Sequence, residues 1–130
     1  MDLTVPVAYG ELVDKLTILN IKKIKIIDSN KIEKINIELK ILEEKVEVLK
    51  NLNEEDYLKL YKKLYEVNLK LWEVEDRIRE HEINNEFNEK FIELARSVYF
   101  LNDERFEIKS EINKYFGSKI HEVKQYTKYK

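Results

Sequence analysis

Apolar residues recur along this chain at intervals of three and four, the spacing that gives an α-helix one buried face. Between about 30 and 50 they fall at Ile32, Ile35, Leu39, Leu42, Val46 and Leu49. Between about 54 and 82 they fall at Leu60, Leu64, Val67, Leu71, Val74 and Ile78. A further helix is predicted over about 9–27 and a last one over about 86–116, with Phe91, Leu94, Val98, Leu101, Ile108, Ile112 and Tyr115 on its seam. Three polar clusters separate the helices: Asp28-Ser29-Asn30, Asn53 to Asp56, and Asn84-Asn85. Each offers side chains able to cap a helix start, and Gly117 is a natural stop for the last helix. Short turns make consecutive helices antiparallel neighbours. The fold class expected is therefore all-α: an antiparallel bundle of four helices forming one domain over residues 1–130. Pro6 keeps 1–8 extended, and 118–130 is a polar tail.

One position breaks the pattern. On the seam of the last helix, Arg105 stands between Leu101 and Ile108 where an apolar residue belongs. A buried unpaired guanidinium is very costly, and a paired one roughly breaks even, so Arg105 needs a carboxylate from another helix. Antiparallel, in-register pairing of the last two helices puts Trp72 level with Arg96, Asp76 near Glu93 and Arg96, Asn68 near Tyr99 and Phe100, Tyr65 near Asp103, and Tyr61 near Arg105. Carried through to the first helix, it puts Asp14 and Lys15 level with Tyr61 to Tyr65. Asp14 is thus the expected partner of Arg105. Such a pair either fixes helix register or belongs to a site.

Helix lengths are unequal. At 1.5 Å per residue the last two helices are about 43–46 Å long and the first two about 28–31 Å. The far end of the long hairpin, about 76–94, should therefore protrude, with Ile78, Ile83, Phe87, Phe91 and Ile92 still to be covered. Self-association through this tip, as a homodimer, is the simplest way to cover them.

Composition narrows the partners. Charged residues make up 38% of the chain, yet the formal net charge is only −2. With both signs interspersed there is no basic face for nucleic acid. There is no cysteine, hence no disulfide, no thiolate metal site and no cysteine nucleophile; a cytoplasmic location fits. No signal peptide is visible, and no apolar run approaches the roughly 18 residues of a membrane span. Lysine occurs 20 times and arginine four times, at Arg77, Arg79, Arg96 and Arg105. Arginine is the cation suited to gripping a carboxylate with a planar fork or stacking on a ring.

Three stretches carry a resemblance: VPVAYGELVDKLTIL at 5–19, LWEVEDRIR at 71–79 and FIELARSVYFLNDERFEIKSEIN at 91–113. They resemble the blocks of a family of short uncharacterised proteins of bacteria and phages, a domain of unknown function. The family has no established activity to carry over. The resemblance implies a serine where this chain has Ala8, completing a capping box with Glu11. Its loss should cost the first helix up to about 1 kcal/mol. The blocks contain Glu11, Asp14, Lys15, Trp72, Asp76, Arg79, Arg96, Asn102, Asp103, Arg105 and Lys109.

Several chemistries can be weighed. Glu43-Glu44-x-x-Glu47 followed by Glu73-x-x-Asp76 has the spacing of Mg²⁺-dependent all-α nucleotide pyrophosphohydrolases. In register, however, Glu47 lies near position 57, and Glu73 is about 24 Å further along. These carboxylates then read as solvated faces. His81 and His121 lack a ligand one helical turn away, so no metal site is expected. No serine or threonine has a visible base, and no glycine-rich phosphate loop or other cofactor motif exists. Tyr61, Tyr65, Trp72 and Tyr99 form an aromatic stripe, usual at a core edge. Trp72 over Arg96 would be a cation–π pair. With Arg96, Arg105 and Lys109 as donors, the same rings would wall a groove for an anionic or sugar-like ligand.

The candidate ligand-binding residues are therefore Asp14, Lys15, Tyr61, Tyr65, Trp72, Asp76, Arg96, Tyr99, Asn102, Asp103, Arg105 and Lys109. The function expected is a non-enzymatic, oligomeric interaction or ligand-binding accessory module, with no cofactor. The alternative is a small enzyme acting on an anionic metabolite through the layer Asp14, Lys15, Asn102, Asp103, Arg105 and Lys109, and a third reading is the Mg²⁺-dependent hydrolase.

Overall fold

The computed structural model describes residues 2–129. Its four helices are α1 (Tyr9–Lys25), α2 (Ser29–Leu52), α3 (Glu54–Ile83) and α4 (Glu89–Phe116). No strand occurs among the described residues, and the helices pack as an all-α bundle.

The helix starts follow from side-chain chemistry. Asp28 accepts from the Asn30 and Lys31 amides, Asn53 from Asp56, and Asn88 from Phe91, so each satisfies amides that a first turn leaves open. The third connection is longer than its Asn84-Asn85 pair suggests. Asn85 takes a left-handed conformation (φ 53°), and the working cap is Asn88, so α4 begins at Glu89 rather than near 86. Gly117 (φ 70°) ends α4 in the left-handed cap conformation that favours glycine.

The start of α1 is served differently. Ala8 provides no side-chain cap. Instead the Gly10 amide donates to Asn113 Oδ1 (2.7 Å) on α4, and the Tyr9 amide donates to Ser118 Oγ (3.2 Å) just beyond it. The capping serine implied by the resemblance is thus replaced by tertiary hydrogen bonds. A Cβ on Gly10 would lie 2.3 Å from the Lys109 carbonyl oxygen, so only glycine lets α1 come this close to the backbone of α4.

α3 and α4 form the long antiparallel hairpin, tied by Lys63–Glu111 (3.7 Å) and by the Tyr115 hydroxyl, which donates to Asp56. These ties put Tyr61 on the same level as the stretch Lys109–Asn113. Gly10 meets that level of α4 and Asn20 meets Tyr61 on α3 (2.7 Å). Both ends of α1 therefore reach one level of the hairpin, and α1 lies across it. The in-register expectation, with Asp14 and Lys15 level with Tyr61 to Tyr65, is corrected accordingly: Asp14 meets Asn68 and Arg105. The cause is the hairpin register: α3 and α4 pair about one turn off the expected level, so Arg105 meets Asp14 beside Asn68 rather than beside Tyr61, and the Gly10–Lys109 contact sets where α1 crosses.

The core joins Val13, Leu16 and Leu19 of α1 to Ile35, Leu39, Val46 and Leu49 of α2, Tyr57, Leu60, Leu64 and Val67 of α3, and Ile112 and Phe116 of α4. On α3 the fully buried residues stop at Asn68. Beyond it the hairpin runs on to the 84–88 turn, where Ile83 (78% exposed), Phe87 (53%) and Ile92 (52%) stand in solvent. Phe91 packs edge-on against Phe87 at 5.3 Å and near His81 at 6.1 Å.

Candidate functional site

The polar centre begins at Asp14, which α1 holds 4% exposed between α3 and α4. Arg105 grips it with both prongs: Nε donates to Oδ1 at 2.9 Å and Nη2 to Oδ2 at 2.5 Å. Asn68 Nδ2 donates to Asp14 Oδ1 and to Thr17 Oγ1, each at 2.8 Å, and the Thr17 hydroxyl donates to the Asp14 carbonyl at 2.7 Å. A fork-to-fork pair with a second donor on the carboxylate is the arrangement that offsets the desolvation of two charges. The Asp14 hydrogen bond is the main reason the Arg105 guanidinium holds its proton even more tightly than usual, against the opposing effect of burial.

Outward from this pair, α4 and the chain after it enclose an open groove of about 1140 Å³. Past Gly117 the tail turns back along α4 and is fastened by charge. Lys109 pairs with Glu122 (2.8 Å), and Asp103 receives both Lys124 and the Tyr129 hydroxyl. That hydrogen bond to Asp103 is the leading cause of the Tyr129 phenol's upward shift, to about 12. Phe106, Tyr126, Tyr99 and Tyr129 supply aromatic wall, and Lys124 sits over the Phe106 and Tyr126 rings at 5.6 and 5.5 Å. Asn102, Gln125 and Thr127 add uncharged polar groups.

The candidate residues divide sharply. Tyr99, Asn102, Asp103, Arg105 and Lys109 line the groove, with Asp14 directly behind Arg105. The others lie elsewhere. Lys15 pairs with Glu38 of α2 at 2.7 Å. Tyr61 accepts from Asn20 and stacks on Tyr65 at 6.2 Å, bordering a smaller pocket of about 250 Å³ with Glu43, Glu47 and Lys50. Trp72 is half-buried and Asp76 exposed on the far part of α3. Arg96 does not stack on Trp72: its Nε donates to the Tyr99 hydroxyl at 3.3 Å and its guanidinium lies over Phe100 at 6.0 Å, both on its own helix. Among the described residues, no group of three or more His, Cys, Asp or Glu side chains is placed to hold a metal ion.

Two sets of residues were not foreseen. Asn68 and Thr17 complete the Asp14 network, and a visible signal existed: both are polar residues on otherwise apolar helix faces. The tail residues Glu122, Lys124, Tyr126 and Tyr129 form half of the groove, and nothing periodic marks them, because an extended segment has no helical repeat.

A family model, described as a family of unknown function (DUF6165), matches residues 3–129, and so spans α1, the Asp14–Arg105 pair and the groove-forming tail together. The chain belongs to this family. No curated protein and no solved structure matches it. The DUF6165 match covers the tail as well as the bundle, so the family's extent agrees with the tail being part of the folded unit. Among the described residues of this DUF6165 chain, no helix is long and apolar enough to cross a membrane.

Proposed function

We propose that this chain is a non-enzymatic, small-ligand-binding accessory module of a bacterial or phage protein set, and that its site is the groove between α4 and the tail. The observation that carries this reading is the groove's construction: about 1140 Å³ of open space with aromatic walls and fixed ionic groups. Concave sites that mix apolar walls with a few convergent polar groups are where small molecules bind. Binding rather than turnover is favoured because both oxygens of Asp14 are engaged by Arg105 and Asn68, and Lys15 is drawn off to Glu38. Lys15 is thereby separated from the layer proposed for an enzyme, and Asp14 is committed to Arg105 and Asn68.

A fragment screen followed by ¹H–¹⁵N NMR tests this. Bound fragments should shift the amides of residues 99–109 and 122–129, and the shifts should vanish in Phe106→Ala with Tyr126→Ala. Fragments that bind only elsewhere, or none at all, would reject the groove as the site.

A second reading concerns assembly. Ile83, Phe87 and Ile92 are exposed together at the hairpin tip, and self-association there as a homodimer would cover them.

A further inference from the structure

Arg105 and Lys109 are one turn apart on α4 and both line the groove. Their surroundings are unequal. Arg105 is anchored from behind by Asp14, itself fixed by Asn68, and Lys109 is only 11% exposed along its side chain. The group facing them is Glu122, whose carboxylate lies 2.8 Å from Lys109 Nζ and whose charge also helps raise the Arg105 pKa. Glu122 is on the opposite footing: residues 119–123 are exposed, outside any helix and backed by no core. Arg105 is therefore fixed by Asp14 and Lys109 lies along a largely buried stem, while the carboxylate that Lys109 pairs with belongs to an exposed segment outside any helix. Phe106 and Tyr126 also line the groove, and Lys124 stands over both rings. A carboxylate paired with Lys109, within the field of Arg105 and beside two aromatic rings, is in effect a ligand supplied by the chain itself.

We infer that the groove takes a ring compound bearing a carboxylate, an aromatic acid or a sugar acid, whose carboxylate replaces Glu122 on Lys109 while its ring lies along the wall of Phe106 and Tyr126, beside Lys124. This rests on the groove being the site, and it adds the ligand's chemical class and the intramolecular competitor it must displace. A small acid meets two cations already partly dehydrated, and on entering the open groove it exchanges one carboxylate for another on Lys109. The tail carboxylate lowers the apparent affinity by the fraction of time it holds the site.

The test titrates the intact protein with matched probes, 4-hydroxybenzoate against 4-hydroxybenzamide and glucuronate against glucose, read by groove amide shifts. At least one acid should bind and its neutral partner should bind distinctly more weakly. Glu122→Gln should tighten the acid about tenfold, as removal of a competitor that occupies the site about nine-tenths of the time would, and leave the neutral probe unchanged. Lys109→Met should abolish the preference for the acid. Whichever acid responds decides between aromatic and sugar acids. Equal binding of acid and neutral probes, or a Glu122→Gln variant with unaltered acid affinity, would overturn the inference while leaving the groove as a site. Absence of groove shifts with every probe would overturn both.

Discussion

At the scale of single residues, the Asp14–Arg105 pair decides most. Arg105 replaces an apolar seam residue, so its guanidinium is dehydrated, and its answer is a carboxylate 4% exposed on a different helix. Removing one partner leaves the other charge without its mate. We expect Asp14→Ala to cost about 3 kcal/mol, the low end of the range for a broken buried pair, because the Arg105 side chain keeps 30% of its surface in water. Asp14→Leu combined with Arg105→Met should recover most of that loss, since paired apolar replacement is often neutral. Urea denaturation of the two variants checks this. If the double variant is as unstable as the single, the pair is not a mutually compensating unit, and Asp14 matters through Asn68 and Thr17 instead.

At the scale of elements, the periodic parts were legible and the aperiodic parts were not. The seams of α2 and α3 and the caps Asn53 and Gly117 follow from spacing and residue type, and the observed bounds lie within about three residues of expectation. The Asp14–Arg105 contact was legible for the same reason, because an arginine on a seam demands a carboxylate. The level of α1 was not legible, because it depends on a backbone contact rather than on a stripe. Gly10 is held against the Lys109 carbonyl, and its amide is bonded by Asn113 Oδ1 in a buried position. This predicts that Asn113→Ala costs about 1–3 kcal/mol, the usual price of orphaning a buried donor, and does so by loosening α1 on α4. Hydrogen exchange should report it, with protection lost first at the amides of 9–12 and spreading along α1. Uniform loss over all four helices would instead mean that Asn113 stabilises the core generally. The tail was equally illegible: its hold on α4 depends on Lys109–Glu122 and on Lys124 and Tyr129 reaching Asp103, and such pairs leave no periodic trace.

At the scale of the whole molecule, two ends of one hairpin are put to different uses. Near residues 57–68 and 112–116 the hairpin is built into the core by α1 and α2. At the other end it carries Ile83, Phe87 and Ile92 into solvent. Phe87 and Phe91 already pack edge to face, so these two rings are positioned before any partner arrives and need less ordering when they are covered. The proposed dimer through the tip leaves the cationic end of both grooves open, since Arg105 and Lys109 lie more than a dozen residues along α4 from Ile92, about 20 Å at the helical rise. It follows that assembly and ligand binding should separate. Sedimentation velocity at micromolar concentration should give a dimer for the wild type and a monomer for Phe87→Glu with Ile92→Lys, and the monomer should bind the groove probes with unchanged affinity. A wild-type monomer at that concentration would reject the tip as a self-association surface. A dimer that survives both substitutions would place the contact elsewhere, and a monomeric variant with a weakened groove would mean that the two ends are coupled through α4.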